Sequence, residues 1–476
     1  MVKKEIFRQY DIRGIVPVDL NKDVAKYISN TFAYILKEKC HNDNPTLSVG
    51  RDVRLSSDEI FEGIKDGLLE AGCNVVDLGV CPTPVTYFSA FVLNVDGFIM
   101  ITGSHNPPEY NGLKLGLGKT TLFGDEILNV YNEFFNKGYR KSEKKGELSK
   151  YSIVPKYNEW LINHFKDLKK AIVSLDREIK IVLDAGNGTA SSISPLIFKK
   201  LGVKTIDLFC VEDGHFPNHH PDPTIKENLK DLIAAVHENH ADFGIAYDGD
   251  ADRIGVVDEN GGIIWGDILL LVYAKELKKH IERPKVIADV KASQVLYDEL
   301  EKIGVEGIMW KTGHSFIKNK LKEIGGELAG EMSGHIFFAD RYFGYDDAIY
   351  ASLRFLEVYI HALKNKEITK CSELFSGLPQ VFNTPEIRIE CPEDKKFKVA
   401  ENLKKAFSQY KNNNEKEIKE IIDIDGIRVI FGNGWGLLRA SNTQPELVMR
   451  FEARDENSLK KYKELFESEL KKLFKD

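Results

Sequence analysis

The chain is 476 residues long, with 42% hydrophobic and 29% charged residues and a formal net charge of -7. Such a length allows about three or four domains of a soluble globular protein, and the acidic balance gives no reason to expect nucleic acid as a partner. No apolar run approaches the roughly 20 residues of a membrane span, no apolar stretch follows the lysines of residues 1–8 to make a signal peptide, and the six scattered cysteines form no Cys-x-x-Cys pair for zinc or a disulfide framework; a reduced, cytoplasmic setting is expected.

In chain order, the first polar cluster is Tyr10-Asp11-Ile12-Arg13-Gly14. A strand over residues 47–50 runs into the polar pair Arg51-Asp52, and the helix that follows ends at Gly72, where a left-handed turn suits glycine. The β-branched segment 96–101 predicts a short buried strand. It delivers the hexapeptide Thr102-Gly103-Ser104-His105-Asn106-Pro107. Gly103 lets another group approach the backbone, while Pro107, Pro108, Asn111 and Gly112 forbid a helix or a continuing strand. There is no Gly-x-Ser-x-Gly, so a hydrolase nucleophile elbow is not indicated; a turn whose Ser and Asn bond their own backbone fits the hexapeptide too. Asn111-Gly112-Leu113-Lys114 places a cation on what is expected to be a loop, where a surface ion pair is the simpler reading. The charged run 140–150 suggests a boundary, giving a first α/β domain over 1–150.

The plan repeats twice. Strands over 179–183 and 285–288 run into Asp184-Ala185-Gly186-Asn187-Gly188 and Asp289-Val290-Lys291, and the helices after them end at Gly202 and Gly304. This predicts two further α/β domains, 151–258 and 259–370, with mainly parallel strands. In the second, Phe216-Pro217-Asn218-His219-His220-Pro221-Asp222-Pro223 pairs two histidines without a third ligand at suitable spacing, so a rigid loop is preferred over a metal site. Asp248-Gly249-Asp250-Ala251-Asp252-Arg253 carries the strongest signal: three alternating carboxylates suit a hard cation such as Mg²⁺. An EF-hand is excluded because Arg253 stands where that loop needs Gly, and the flanks 243–247 and 254–257 read as strands. Three carboxylates leave positions open on an octahedral ion, so a further oxygen ligand is implied. The turn Glu259-Asn260-Gly261-Gly262 predicts a hairpin.

In the third domain, Thr312-Gly313-His314-Ser315 is a small donor-bearing loop. Gly330-Glu331-Met332-Ser333-Gly334-His335 offers a carboxylate and a hydroxyl suited to sugar hydroxyls; a helix-to-strand turn accounts for it equally well. Beyond about residue 370 the pattern changes to strands at 386–390, 427–431, 437–440 and 447–453 with two helices, the last carrying Leu459, Tyr462, Phe466, Leu470 and Leu473 on one stripe. This is a smaller α+β domain, 371–476. Its Arg439-Ala440-Ser441-Asn442-Thr443-Gln444-Pro445 turn is rich in donors of the kind a phosphate needs, with Gly432, Gly434 and Gly436 just before it.

Together these stretches, in this order and over essentially the whole chain, resemble the α-D-phosphohexomutase superfamily, in its phosphomannomutase/phosphoglucomutase branch. The resemblance implies four domains around a central cleft and interconversion of hexose 1- and 6-phosphates through a reoriented hexose 1,6-bisphosphate, which also acts as activator. By the same resemblance Ser104 carries the phosphoryl group and joins Asp248, Asp250 and Asp252 in binding Mg²⁺. Glu331 and Ser333 would bond the 3- and 4-hydroxyls, and Arg439, Ser441, Asn442 and Thr443 would grip the non-reacting phosphate. Tyr10, Arg13, Lys114, Arg253, Lys291, His314 and His335 would line the cleft, with Arg13, Lys114 and His335 stabilising charge or moving protons; which of them is the general base is left open. A small phosphosugar is the expected partner, and the chain is expected to be a monomer or weak homo-oligomer. Phosphoglucosamine mutase, a sugar-phosphate-binding protein without turnover, and a metal-dependent phosphatase are the alternatives.

Overall fold

The computed structural model of the protein describes residues 2–413, 415–441 and 445–474. The chain forms two compact bodies, Met1–Tyr273 with Ser333–Leu374, and Ala274–Met332 with Phe375–Asp476. Among the described residues no helix is long and apolar enough to cross a membrane, and the six cysteines carry free thiols.

The first body holds two sheets. One orders its strands as Ile12–Ile15, Tyr110–Leu117, Gly97–Ile101, Thr46–Arg51, Asn74–Val80 and Leu148–Lys150, with Thr120–Thr121 added beside Tyr110–Leu117. Gly97–Ile101 is wholly buried and lies parallel to Thr46–Arg51, as its continuous apolar sequence demands of a central strand covered on both faces. Tyr110–Leu117 returns antiparallel to it, since a connection as short as the serine loop cannot make a parallel crossover. The sheet is therefore mixed, and Asn111, Gly112 and Lys114 lie on a strand rather than on the expected loop. At the end of the charged run 140–150, Leu148–Lys150 pairs with Asn74–Val80.

The second sheet orders Ile263–Ile264, Ile254–Asp258, Phe243–Tyr247, Lys180–Asp184 and Lys204–Leu208. Its last three strands are parallel, and the expected hairpin at Gly261 joins Ile254–Asp258 to Ile263–Ile264. Phe243–Tyr247 and Ile254–Asp258 pair in antiparallel register, Tyr247 opposite Ile254, so the acidic loop is the tight connection between two fully buried strands. The buried helix Ala348–Lys364 starts under that loop. Its cap, Asp347, accepts from the Tyr350 amide, and the Ala348 amide donates to the Ala251 carbonyl.

In the second body, Glu306–Trp310, Lys285–Asp289 and Leu328–Gly330 run parallel in that order. The C-terminal sheet is antiparallel, ordered Phe382–Asn383, Glu446–Ala453, Gly434–Ala440, Ile427–Phe431 and Ile418–Ile422, with Ile387–Glu390 also on Glu446–Ala453. Helices Lys396–Asn412 and Glu456–Leu473 bury Leu403, Phe407, Tyr462 and Phe466 against it. This is the expected α+β pattern.

Candidate functional site

The serine loop begins where Gly97–Ile101 ends. Ser104 is 3% exposed and takes the left-handed backbone region at φ 49°, a conformation unusual for a residue with a Cβ and most often kept where function needs it. Its Oγ donates to Asp248 Oδ2 at 3.0 Å and lies 3.1 Å from His105 Nδ1. The acidic loop comes so close that a Cβ on Gly249 would sit 2.8 Å from the Ser104 carbonyl oxygen; only glycine fits there.

Asp248, Asp250 and Asp252 are all fully buried, and one carboxylate oxygen of each lies within 4.8 Å of the others'. The Lys114 ammonium, on the neighbouring strand, bonds Asp250 Oδ2 at 2.9 Å and also Asp252. Thr83 Oγ1 donates to Asp250 Oδ2 at 2.5 Å. Lys114 is 3% exposed, not the surface cation its sequence suggests. Even with Arg253 Nε 4.0 Å from Asp248 Oδ2, two cations face three buried carboxylates. Burial, then Asp252 and Asp250, push the Asp248 carboxyl well above the usual carboxylate range. Burial also acts to raise Asp250, but Lys114 and Thr83 outweigh it and hold that group low. Burial acts to lower Lys114, and Asp250 and Asp252 overcome it to keep the ammonium charged. Among the described residues Asp250 Oδ1 and Asp252 Oδ1 are buried without a hydrogen-bond partner, a costly state for an anion. A hard divalent cation with oxygen ligands fits this donor set.

Arg253 and His335 complete the first body's constellation. Arg253 Nε donates to His335 Nε2 at 3.0 Å, while His335 Nδ1 faces the Asp252 carbonyl and Asp346 Oδ2, each at 3.2 Å. That arrangement assigns the ring proton to Nδ1. Both nitrogens are engaged, and the ring fixes the Arg253 guanidinium. Arg13 reaches the serine loop through Asn106 Oδ1 at 2.5 Å and pairs with Asp11. Tyr10 is half-buried in the bend before Ile12–Ile15.

A second group of expected residues assembles in the other body. Lys291 Nζ bonds Glu386 Oε1 at 2.8 Å and lies 3.8 Å from Asp289 Oδ2. Lys291 holds the Glu386 carboxyl down to about 2, and burial raises Asp289 to about 6. Glu331 Oε1 accepts from the Gly313 amide at 2.7 Å, the next residue, His314, is buried at the start of helix His314–Ile324, and the Thr312 amide donates to Asp425 Oδ2 at 3.1 Å. Asp425 Oδ2 also takes Arg439 Nε at 2.8 Å. Glu331, His314 and Arg439 thus converge on the turn at Thr312–Gly313. Ser441 is buried, its carbonyl accepting from Lys396 Nζ at 2.5 Å; Asn442 and Thr443 lie outside the described residues. The stretch Gly330–His335 is a strand-to-strand connection, not a helix-to-strand turn. It passes from one body to the other, with Glu331 in the second and half-buried Ser333 and buried His335 in the first. The His219–His220 loop behaves as expected for a rigid turn, His219 Nε2 meeting Asp184 Oδ2 at 3.0 Å.

The residues that sequence missed are partners: Arg54 under the serine loop, Asp346 behind His335, and Glu386 and Asp425 beside the two cations. Each contact spans many positions (Thr312 to Asp425 is 113 residues), so no local pattern announces it. The Arg51-Asp52-Val53-Arg54 turn at a strand end was the one available signal for Arg54.

With this geometry in view, comparison with known proteins is direct. Four family descriptions match in order: phosphoglucomutase/phosphomannomutase alpha/beta/alpha domain I at residues 4–141, domain II at 159–262, domain III at 265–382 and the C-terminal domain at 386–468. The chain is 42% identical to a phosphomannomutase/phosphoglucomutase of Pseudomonas aeruginosa, over 98% of this chain and 95% of that one. It is also 42% identical to a phosphoglucomutase of Neisseria gonorrhoeae, over 98% and 97%. A crystal structure of a phosphoglucomutase/phosphomannomutase family protein from Burkholderia thailandensis superposes with a TM-score of 0.88 at 39% identity, covering 99% of this chain and 98% of that one. This chain belongs to the phosphoglucomutase/phosphomannomutase family.

Proposed function

We propose that the protein interconverts the 1- and 6-phosphates of glucose and mannose through a phosphoserine at Ser104. The observation that carries this is the Ser104 hydroxyl hydrogen-bonded to Asp248, one of three clustered buried carboxylates of which the other two share Lys114. A nucleophile oxygen at the lip of a cation site is what phosphoryl transfer needs. A binding protein without turnover would need neither.

In the first half-reaction a sugar hydroxyl oxygen bonds to the phosphorus on Ser104 as the P–Oγ bond breaks; the sugar proton is lost and Ser104 is left as the hydroxyl. The product is a hexose 1,6-bisphosphate. After it turns over, Ser104 Oγ takes the other phosphoryl group, the P–O bond to the sugar breaks, and a proton returns to the sugar oxygen. Asp248, Asp250, Asp252 and a phosphoserine oxygen would hold Mg²⁺, which when bound neutralises charge on the phosphoryl group. Asp248 orients the Ser104 hydroxyl. Lys114 and Arg13 add fixed positive charge next to the loop, and His335 keeps the Arg253 guanidinium aimed. Glu331 and Ser333 are assigned the 3- and 4-hydroxyls, and Arg439 and Lys291 the phosphate that is not reacting.

Those two hydroxyls are the same in glucose and mannose, so little preference between the epimers is expected. A side-by-side comparison of kcat/KM for glucose, mannose and glucosamine 1-phosphates, under identical bisphosphate priming, tests this. A glucose-to-mannose ratio beyond roughly 10³ would show a contact that reads C2, since such contacts discriminate strongly. A preference for glucosamine 1-phosphate would favour the phosphoglucosamine mutase alternative.

A further inference from the structure

Behind the serine loop sits a charged side chain that the chemistry above does not use. Arg54 lies in the bend between strand Thr46–Arg51 and helix Ser57–Glu70, and its side chain has no exposed surface. Its guanidinium donates to four main-chain carbonyls of one loop: Nη2 to Ser104 at 2.8 Å and Asn106 at 2.5 Å, Nη1 to Pro107 at 2.6 Å and Tyr110 at 2.9 Å. Its counter-ion is Asp52, with Nε 3.2 Å from Oδ2. Asp52 is tied to the same loop, since Oδ2 accepts from the Gly103 amide at 3.2 Å and the Asp52 amide donates to the Ile101 carbonyl at 2.9 Å. Gly103 packs flat on the guanidinium; a Cβ there would stand 2.5 Å from Arg54 Cζ.

Four carbonyl oxygens turned towards one point repel each other unless a cation with enough donors stands there. Arginine offers five N–H groups in a rigid plane; lysine offers three on a flexible stem. The consequence for Ser104 is direct, because its own carbonyl is among the four. Holding that carbonyl inwards fixes the peptide plane on the C-terminal side of a residue already held at φ 49°, and so fixes where Oγ points.

We infer that Arg54 is a positioning residue for the reaction: by gathering the carbonyls of Ser104, Asn106, Pro107 and Tyr110 it holds the serine loop in the shape that presents Oγ to Asp248 and the phosphoryl group. Arg54 touches neither substrate nor metal in this account. Its effect falls on the rate of phosphoryl transfer and not on sugar binding. The assignment rests on the proposed role of Ser104.

The test is Arg54→Ala, assayed as full-length enzyme with glucose 1-phosphate and bisphosphate priming, beside wild type and Ser104→Ala. The expected result is kcat down about 10²-fold, the scale of a misplaced reacting atom, with KM within about threefold of wild type. Millimolar guanidinium chloride should restore activity at least about tenfold, because the ion refills a site built of four carbonyls and a carboxylate; urea at the same concentration, planar but neutral, should not. Arg54→Lys is the second variant and should also lose kcat, having charge without the donors. Wild-type kcat in either variant, a loss confined to KM, or equal rescue by urea would overturn the assignment. Failure of both variants to fold would overturn it too, by making Arg54 a fold determinant. A wild type without turnover, or an active Ser104→Ala, would instead overturn the functional reading on which this rests.

Discussion

The two bodies arrange their charges differently. Around Ser104 three buried carboxylates crowd within 4.8 Å of one another, Lys114 bonding two of them and Arg253 lying 4.0 Å from the third, and two of their oxygens are left without a hydrogen-bond partner among the described residues. In the second body the cations already face acids along the chain: Lys291 has Glu386 and, at 3.8 Å, Asp289, and Arg439 has Asp425. The crowded carboxylates of the first site are the donor set that suits a hard cation. In the second the cations are already paired, so a phosphate bound there as proposed would compete with carboxylates for them. Such competition would keep the grip on a sugar that has to turn over moderate and reversible. The two regions should therefore respond differently to mutation.

The largest effect is expected at the nucleophile. Ser104→Ala should lower mutase turnover by more than about 10³-fold with the fold intact, because no other group can carry the phosphoryl. Steady-state rates with a melting curve check both halves of that statement. Next comes the cation. Asp250→Asn, or excess chelator on the wild type, should cost several kcal/mol of transition-state stabilisation, roughly 10²–10³-fold in rate. Calcium should not substitute, since its looser coordination misplaces the phosphoryl oxygens. Wild-type rates in chelator would mean that the crowded carboxylates are structural, and the contrast between the two bodies would lose its meaning.

The second site should show weaker, binding-type effects. Arg439→Ala removes charge-assisted bonds worth about 1.5–3 kcal/mol each, so KM for both the 1- and the 6-phosphate should rise about 10- to 100-fold. A rise for one isomer alone would contradict a single clamp serving both ends of the sugar.

The residues proposed for chemistry at both sites can be read from the sequence, their paired acids cannot, and the reason is local. Ser104, the three aspartates and Arg439 sit at strand ends or in tight loops beside glycines, where short patterns carry the signal. Lys114 was misjudged because Pro107 and Pro108 suggest a long loop, whereas the chain re-enters the sheet at Tyr110 and buries the lysine against an acidic loop 136 residues away. Glu386 and Asp425 were invisible for the same reason, and Arg54 left only its place in a strand-end turn as a signal: their meaning lies in partners that only the fold brings near. The mixed first sheet follows the same rule. Its antiparallel half depends on how quickly the chain returns after Ser104, which residue types alone do not determine.

The smallest effects concern stability, where two carboxyls of the second site pull in opposite directions. Glu386 is held down to about 2 by Lys291, so its contribution is present above the unfolded value near 4.5 and is lost as pH falls towards 2. Asp289 is raised to about 6 by burial; it favours the folded state while protonated, and stability falls as pH rises from about 4 to about 6. Asp289→Asn should flatten that loss, and Glu386→Gln should flatten the acid limb. Denaturation midpoints between pH 3 and pH 7 check both slopes. A steeper fall above pH 4 in Asp289→Asn would show that the carboxylate is paid for by Lys291 and not penalised by burial.

Passage of phosphate through Ser104 to the sugar is the step on which the proposed reaction depends. It is tested most directly by labelling the enzyme's phosphoserine, adding glucose 6-phosphate for a single turnover in the presence of Mg²⁺, and following the label. Label is expected on the Ser104 peptide at the start, in hexose 1,6-bisphosphate in passing and in glucose 1-phosphate at the end, with almost none as inorganic phosphate. Label released to water, or turnover with Ser104 never labelled, would contradict it.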